Sequence, residues 1–408
     1  MKKRHLILAA IVLAVTALNT IFYDTYTKTK HIKNGKFLVN SSHVAPQQLF
    51  EKTALILNHQ YIDKTMNHQD WDYWVEHYKD KIKTKEDATV AIETMIASLD
   101  EPYTRFMDRS EFNKLGDSIS SKIYGIGVNI YSNSGKIIVF SVIAGSPAEA
   151  AELKANDIIL KVNKTDCSGK DIDKVASLIR GKADTPVTLE IKRGDEIFTK
   201  TIIRKEVKIN TIEASNDGDI GYIKVNSFLS ANMQTELDNA LEKTKDTKGL
   251  IFDLRGNTGG LLNNAVILAD KFIKEGCIVK VVSRNGREDV LKANPDTTKI
   301  NKPIVILINE TSASASEIFS GAMKDHKRAK LIGERTFGKG MVQSVVPLPN
   351  ETGVNITVAK YLTPLNNDIN EKGIEPHIKL KNIEHVLNKD LQLLKAKETL
   401  KVLIENKK

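Results

Sequence analysis

The chain has 408 residues, enough for two or three domains, and its 41% hydrophobic and 27% charged content is ordinary for globular protein. The net charge of +9 comes from scattered basic residues with no basic stripe carrying interleaved aromatics, so a nucleic-acid partner is not indicated. The histidines form no His-Glu-x-x-His pair, and Cys167 and Cys277 have no Cys-x-x-Cys spacing. We therefore expect no metal, no redox centre and no cofactor.

A hydrophobic segment lies close to the N-terminus. A run of basic residues precedes an apolar stretch from Leu6 to Leu18, which continues more weakly to Tyr23. A charged start followed by a long apolar region is typical of an export signal, and this one is long enough to span a bilayer. We predict an uncleaved, single-pass membrane anchor over residues 1–23, with a signal-peptidase site at residues 15–17 as the alternative. A polar, lysine-rich linker follows over residues 24–38.

Residues 39–112 show helical periodicity. From Pro46 to about Met107 apolar residues recur at helical spacing, and two tryptophans, Trp71 and Trp74, add candidates for the core. This pattern predicts a small helical N-terminal domain, which we interpret as packing structure without chemistry of its own.

Residues 113–207 change to short strands separated by turns. The predicted elements are strands over residues 137–142, 157–163 and 187–193 and a helix over about residues 171–180. Together with the turn Gly145-Ser146-Pro147-Ala148, this order resembles a PDZ domain. Asn156 stands where such domains usually have glycine, a tolerable change because asparagine also accepts a positive φ.

The resemblance to a PDZ domain implies that this part of the chain binds peptides. The backbone amides of the loop Tyr124, Gly125, Ile126 and Gly127 would hold a chain-terminal carboxylate, and the next strand would pair with an extended peptide. The two glycines let the loop approach the anion closely. The expected partners are therefore proteins or peptides with free C-termini.

From Ile220 onward, strands and helices alternate. The predicted elements are strands over residues 220–225 and 249–254 and helices over about residues 231–243 and 261–273. This rhythm predicts an α/β core with helices packed on a sheet. Gly259 and Gly260 lie at a strand-to-helix turn, where free backbone amides can face a ligand.

A candidate nucleophile follows the next predicted strand, residues 302–309. Ser314 lies at the start of a helical run, at a strand-to-helix turn. Ser314 and Glu317 also fit the Ser-x-x-Glu capping box, and that pattern taken alone indicates only a helix cap.

A candidate base lies 25 residues after Ser314, where Lys339 stands between two glycines and has apolar neighbours. A serine needs a base before it attacks a carbonyl, and a lysine serves when burial lowers its pKa from about 10.4 towards 7–8. His326 is twelve residues from Ser314, about 18 Å along an unbroken helix, which is too far for a hydrogen bond. His377 is not excluded by distance, but its surroundings are typical of a structural motif.

Four motifs in order resemble the carboxyl-terminal processing peptidases, or tail-specific proteases, a serine–lysine family. They are residues 99–106 (LDEPYTRF), residues 253–260 (DLRGNTGG), the Ser314 motif over residues 311–317 and the Lys339 motif over residues 336–340. The closing residues 361–364 and 372–378 also resemble the family. The resemblance covers roughly residues 90 to 380, and it departs from the family at His377, where aspartate is usual.

The resemblance implies the roles of the site residues. Ser314 would be the nucleophile, Lys339 the general base, and Gln343 the residue that orients the lysine. The amides of Gly260 and Ala315 would form the oxyanion hole. The implied fold is an α/β protease core over residues 208–381, related to the crotonase and caseinolytic protease folds, with the PDZ domain inserted before it.

Two other functional classes remain open at this stage. One is a membrane-tethered PDZ module that binds peptides while its protease core is inactive. The other is a crotonase-like enzyme acting on acyl thioesters, for which no coenzyme A pocket is indicated. Peptide hydrolysis would separate the protease from both.

The predicted arrangement also carries expectations about regulation and location. Because residues 113–207 interrupt the path between the helical domain and the core, we expect the PDZ domain to gate the protease, with Arg180 as the candidate contact. We expect an extracytoplasmic catalytic domain at the cell membrane, from the export-like start and the family resemblance. The helical extension over residues 382–408 would either close the core or form a homodimer contact.

Overall fold

The computed structural model describes residues 32–33, 36–37, 40–119, 122–143, 145–208, 211–297, 299–381 and 389–407. They divide into two compact units, the first formed by the described residues up to 119 and from 211 onward, and the second by the described residues between 122 and 208. The helices are α1 Pro46–Gln60, α2 Trp71–Tyr78, α3 Lys85–Ala97, α4 Arg109–Ile119, α5 Pro147–Ala150, α6 Ile172–Ile179, α7 Met233–Lys243, α8 Leu262–Asp270, α9 Ala315–Asp325 and α10 Leu391–Glu405.

The strands occur in both units. They are β1 Ile32–Lys33, β2 Lys36–Phe37, β3 Arg105–Met107, β4 Lys122–Gly125, β5 Val128–Asn133, β6 Lys136–Val142, β7 Ile158–Val162, β8 Thr165–Asp166, β9 Pro186–Arg193, β10 Glu196–Ile203, β11 Lys205–Lys208, β12 Ile212–Asp217, β13 Ile220–Val225, β14 Gly249–Asp253, β15 Cys277–Ser283, β16 Glu288–Lys292, β17 Ile304–Ile308, β18 Lys330–Gly333, β19 Met341–Leu348, β20 Thr352–Leu362 and β21 Ile378–Lys379.

A mostly parallel sheet forms the centre of the first unit, in the order β12-β13-β14-β17-β18-β21. Only β12 runs antiparallel to its neighbour, and the other pairs are parallel. Both faces are buried: Ile304 and Ile306 of β17 pack into the main core, whereas Val305 and Leu307 pack into the cluster on the opposite face. This double burial explains the continuous apolar runs of these strands and confirms the predicted α/β core.

The C-terminal helix α10 covers one face of this sheet. Ala396 and Leu400 are fully buried in the same cluster as Val305 and Leu307. Arg255 donates to the carboxylates of Asp253, at the end of β14, and of Asp390, the N-cap of α10. Of the two roles considered for the C-terminal extension, closing the core is the one that this packing supports.

An antiparallel sheet, in the order β16-β15-β20-β19 with β3 paired to β20, completes the first unit. Helices α1 and α3 bury Phe50, Leu57 and Ile92 in the same continuous core as this sheet. The helices of residues 39–112 therefore share a core with the residues after 211. None of the described helices combines the length and hydrophobicity needed to cross a membrane, and the predicted anchor over residues 1–23 lies outside the described residues.

The second unit is built on a sheet in the order β10-β9-β7-β6-β5, with β8 paired to β7 and a separate ribbon of β11 and β4. Helix α6 matches the predicted helix, and Asn156 has a φ of 71°, as expected for a residue in place of glycine. The sequence pattern ended the domain's strands at residue 193, but β10 continues the sheet to Ile203. Helix α4 extends to Ile119, so the unit begins later than the predicted residue 113.

Candidate active site

Ser314 lies at the turn between strand β17 and helix α9. Its backbone has φ 55° and ψ −115°, a region that non-glycine residues rarely adopt, and the helix begins at the next residue. The side chain is half-buried, and the backbone N–H of Glu317 donates to the carbonyl oxygen of Ser314 at 2.8 Å. A strained backbone of this kind is a pattern found at functional sites.

Glu317, one turn into α9, joins the serine loop to the lysine loop. Its Oε2 accepts hydrogen bonds from the backbone N–H of Ser314 at 2.8 Å and of Lys339 at 2.9 Å. Its Oε1 accepts from the hydroxyl of Thr336 at 2.6 Å and the N–H of Gly338 at 2.7 Å. The predicted capping box is thus present, but the same carboxylate also fixes the loop that carries the base.

The carboxylate of Glu317 is fully buried. Burial is the largest influence on it and raises the pKa of Glu317 above its ordinary value, while its four hydrogen bonds act in the opposite direction. A carboxylate that satisfies four donors is costly to replace, because each buried donor left without a partner costs about 1–3 kcal/mol.

Tyr361 on β20 provides a second link between the same two loops. Its hydroxyl lies 2.7 Å from the carbonyl oxygen of Lys339 and 3.2 Å from that of Ser314. The ring is buried, and burial raises the pKa of Tyr361 well above its usual range, so the hydroxyl stays protonated and can donate. Ser314 and Lys339 therefore share a partner at their N–H groups and another at their carbonyl groups.

The amine of Lys339 is held in a partly desolvated position. Its Nζ lies 4.6 Å from the centroid of the Tyr103 ring. Burial lowers the pKa of Lys339, and the nearby carboxylates of Glu101 and Glu317 oppose this effect. A lowered pKa is what a lysine needs to accept the proton of a serine hydroxyl.

Gln343 lies on β19, four residues after the lysine. Its Nε2 donates to Oγ1 of Thr357 at 3.3 Å, and that hydroxyl donates to Oε1 of Glu101 at 3.1 Å. Within the described ranges the Gln343 amide bonds to Thr357 and not to Lys339. The orienting role of Gln343 stays a prediction.

The two predicted oxyanion donors lie on turns that meet beside Ser314. A Cβ built on Gly259 would lie 2.8 Å from Cβ of Ser314 and 3.0 Å from the backbone nitrogen of Ala315. Gly260 has a φ of 148° and packs against the backbone of Phe228. In the described part of the chain, the N–H groups of Gly260 and Ala315 donate to no other residue. Both amides are therefore available to a developing oxyanion.

Neighbouring serines and histidines are already engaged in structural hydrogen bonds. Ser312 is buried and donates to the carbonyl of Leu254, and Ser316 is buried and donates to the carbonyl of Asn257. His326 is the C-cap of α9, at the opposite end of the helix from Ser314, and its Nε2 lies 2.7 Å from the carbonyl of Cys277. His377 bonds through Nδ1 to the N–H of Leu331.

Two residues of the predicted peptide-binding loop, Tyr124 and Gly125, are the last residues of β4 and pair with β11, and the other two follow the strand. Ile126 is buried, and Gly127 has a φ of 84°, with no space for a side chain because a Cβ would lie 2.3 Å from Cβ of Ser146. The next strand, β5, is the last in its sheet and has its outer edge free to pair with a peptide among the described strands.

The predicted gating residue Arg180 is exposed and lies directly after helix α6. A different arginine, Arg204, completes the end of this helix by donating to the carbonyl groups of Leu178 and Ile179. The backbone N–H of Gly181, the residue after Arg180, donates to the carbonyl of Tyr124. The contact expected of Arg180 stays a prediction.

Sequence reasoning missed four residues that surround the catalytic candidates. They are Glu101, Tyr103, Thr357 and Tyr361. The family-like motifs contained three of them, Glu101 and Tyr103 in residues 99–106 and Tyr361 in residues 361–364, but no local pattern relates them to Lys339. The described residues contain no group of three histidine, cysteine or acidic side chains placed to hold a metal ion.

Comparison with known proteins gives a consistent result. The family model described as Peptidase family S41 matches residues 219–380, and a PDZ domain model matches residues 138–193. A carboxyl-terminal-processing protease of Synechocystis sp. is 36% identical over 342 residues, which are 81% of this chain and 80% of that protein. The carboxy-terminal processing protease CtpA of Bacillus subtilis is 40% identical over 304 residues, or 73% of this chain and 65% of that protein.

A solved structure extends the likeness to the fold. The photosystem II D1 C-terminal processing protease superposes with a TM-score of 0.57 at 31% identity, covering 83% of this chain and 94% of that one.

Proposed function

Because this chain belongs to peptidase family S41, we propose that it is a serine endopeptidase that cleaves protein substrates near their C-termini. One observation carries the assignment of the site: a single oxygen, Oε2 of Glu317, accepts the N–H groups of both Ser314 and Lys339. A nucleophile and a base must be held in a fixed relation, and this shared acceptor provides it.

The proposed reaction begins with attack of Ser314 Oγ on the carbonyl carbon of the scissile peptide bond. The amine of Lys339 takes the hydroxyl proton, and its lowered pKa increases the fraction of neutral amine that is able to do so. The negative oxygen of the tetrahedral intermediate is held by the N–H groups of Gly260 and Ala315, each worth about 100- to 1000-fold in turnover.

The ammonium of Lys339 then gives its proton to the leaving amine, the peptide bond breaks, and an ester to Ser314 remains. Water attacks this ester while Lys339 takes one of its protons. The bond from the acyl carbon to Ser314 Oγ then breaks, Lys339 returns the proton to Oγ, and the acid product leaves. Gln343 orients the lysine in this scheme. The reaction needs no cofactor or metal.

The second unit selects the substrate in this proposal. The backbone amides of Tyr124, Gly125, Ile126 and Gly127 hold the terminal carboxylate, and the peptide extends along β5. Occupancy of this site also gates the core, with Arg180 as the residue whose contact changes. The free edge of β5 and the close-packed glycine at residue 127 support the peptide-binding part of this proposal.

Location and assembly are further parts of the proposal. The hydrophobic segment over residues 1–23 supports a single-pass anchor that places the catalytic unit outside the cytoplasm. Alkaline extraction of membranes, with and without residues 1–23, tests the anchor, and digestion of intact cells by an added protease tests the side. Light scattering on the purified chain tests for the homodimer.

The decisive experiment compares cleavage of an unstructured protein substrate by the wild type, Ser314→Ala and Lys339→Ala. Ser110→Ala and Lys274→Ala, both at exposed positions, are the matched controls. We expect both site variants to lose cleavage while keeping the wild-type melting temperature and terminal-peptide binding. Cleavage by Ser314→Ala at the wild-type rate would overturn the proposed nucleophile. A wild-type chain that binds peptides but cleaves none would indicate a binding module.

A further inference from the structure

Glu101 is a carboxylate near the catalytic lysine for which the proposed reaction has no role. It lies in the short segment between α3 and β3 and is half-buried. Its oxygens accept from the N–H groups of Tyr103 at 3.1 Å and Thr104 at 2.7 Å and from the hydroxyl of Thr357 at 3.1 Å. No lysine, arginine or histidine of the described residues forms an ion pair with it.

The hydrogen bonds of Thr357 have a direction that Glu101 determines. A hydroxyl has one proton to donate, and an ionised carboxylate can only accept. The Thr357 hydroxyl therefore donates its hydrogen bond to Glu101. Towards Gln343, whose Nε2 lies 3.3 Å away, the hydroxyl oxygen can only accept. Gln343 must present its NH₂ group to Thr357, which fixes which way its amide faces.

The carbonyl oxygen of Gln343 is consequently turned away from Thr357. Among the described residues no donor bonds to it. The β19–β20 pairing is irregular between Val342 and Gln343, a feature that re-aims side chains beside active sites. Without the Glu101 charge, the Thr357 hydroxyl could rotate and the amide could reverse, so that an NH₂ group would face a lysine that can only donate when charged.

Glu101 is hydrogen-bonded to the residue whose aromatic ring contacts the amine of Lys339. Tyr103 lies under Nζ and donates its own N–H to Glu101. The titratable groups that act on Lys339 are Glu101 and Glu317, while Tyr361 contacts only its backbone carbonyl. Glu317 is bound by four donors of the catalytic loops, so Glu101 is the acidic group connected to Gln343.

We propose that Glu101 is a positioning residue for Lys339, acting through Thr357 to hold the Gln343 amide with its carbonyl oxygen as the acceptor for the lysine amine. The proposal rests on the serine–lysine function proposed above. It assigns a role to Glu101, the second of the two acidic residues in the 99–106 motif.

The test measures kcat, KM and the pH profile of peptide cleavage for Glu101→Gln, Thr357→Val, their double variant and Glu101→Asp. Glu93→Gln, an exposed glutamate on α3, is the control. We expect each single variant to lower kcat by about 10- to 100-fold at little change in KM. Because both residues act through one chain, the double variant should be within about threefold of the poorer single variant. Glu101→Asp should recover part of the loss.

The pH profile separates positioning from a merely structural effect. Removing the carboxylate in Glu101→Gln lowers the pKa of Lys339 further, because a nearby anion stabilises the ammonium. The acidic limb of the pH–rate profile of Glu101→Gln should therefore move to lower pH. The variant Thr357→Val keeps the Glu101 charge, so the acidic limb of its profile should match that of the wild type. Melting temperatures and terminal-peptide binding identify any variant that fails to fold. If Glu101→Gln does not fold, the kcat values of Thr357→Val and Glu101→Asp test the positioning role instead.

Wild-type kcat in both Glu101→Gln and Thr357→Val would overturn the inference. Two other results would also overturn it: a double variant whose loss of kcat is the product of the two single losses, and a Glu101→Gln profile whose acidic limb lies at the wild-type pH. Ser314→Ala and Lys339→Ala are assayed in parallel. If these retain activity, the proposed function itself fails. If they are inactive while Glu101→Gln and Thr357→Val behave as wild type, only the positioning role fails.

Discussion

Replacement of Glu317 by glutamine should separate the alignment of the site from the stability of the fold. The carboxylate accepts two hydrogen bonds at each oxygen. An amide offers only one oxygen, so its NH₂ group must face either the N–H of Gly338 or those of both Ser314 and Lys339. The variant therefore loses at least one buried backbone hydrogen bond, at about 1–3 kcal/mol.

A second effect opposes this loss. Burial raises the pKa of Glu317, which means that the ionised carboxylate is itself costly to bury. Glutamine removes that charge, so the two contributions partly cancel and the free energy of unfolding should change by about 2 kcal/mol or less. Turnover has no such compensation, because either orientation releases a backbone N–H of the lysine loop, that of Gly338 or that of Lys339 itself. We expect kcat to fall by about 100-fold or more.

The assay is peptide cleavage combined with chemical denaturation, with Glu310→Gln as the control because Glu310 is exposed in the same loop. The control should match the wild type in both measurements. Wild-type kcat in Glu317→Gln would refute the alignment role. A variant that is unfolded under assay conditions would show that the carboxylate mainly stabilises the fold.

Three further predictions concern the base, the turn and the peptide site. On the acidic side, kcat/KM should rise about tenfold per pH unit until Lys339 is deprotonated, and a flat profile from pH 9 to pH 5 would argue against a lysine base. Gly259→Ala should abolish cleavage, because its Cβ would lie 2.7 Å from the carbonyl oxygen of Ala313 and 2.8 Å from Cβ of Ser314. Gly256→Ala, at a φ of 79° with nothing within 4 Å, should cost only about 1–2 kcal/mol of stability, and equal kcat in the two variants would contradict the argument. Amidation of a peptide's C-terminus should weaken binding to the full-length Ser314→Ala protein, and Gly127→Ala should weaken binding of the acid form; titration calorimetry that finds acid and amide equal would refute carboxylate recognition.

Local patterns in the sequence were sufficient for much of the site. The buried strand before Ser314, the helix start after it and the glycines around Lys339 are all visible within a few residues, and the structure places them as expected. The positive φ of Asn156 likewise follows from the residue type. Such features depend on the backbone preferences of single residues and on hydrophobic periodicity, and both follow from the local sequence.

Contacts between distant segments could not be predicted in this way. Glu101 and Thr357 are 256 residues apart and meet only because β3 pairs with β20. Glu317 matched a helix cap, and nothing local showed that its carboxylate also binds the lysine loop. Strand β10 was missed because its residue types do not follow the alternating burial: the apolar Ile197 and Ile203 are exposed, whereas Lys200 is partly buried.

The central claim is that Ser314 forms a covalent acyl intermediate with Lys339 as its base. The most direct test is acid quenching during turnover of an activated ester substrate, followed by tandem mass spectrometry of the digested protein, since such esters accumulate the acyl-enzyme. We predict an acyl group on the peptide containing Ser314, located on that serine, and no adduct in Ser314→Ala or Lys339→Ala. An adduct on Ser312 or Ser316, or undiminished hydrolysis in Ser314→Ala, would contradict it.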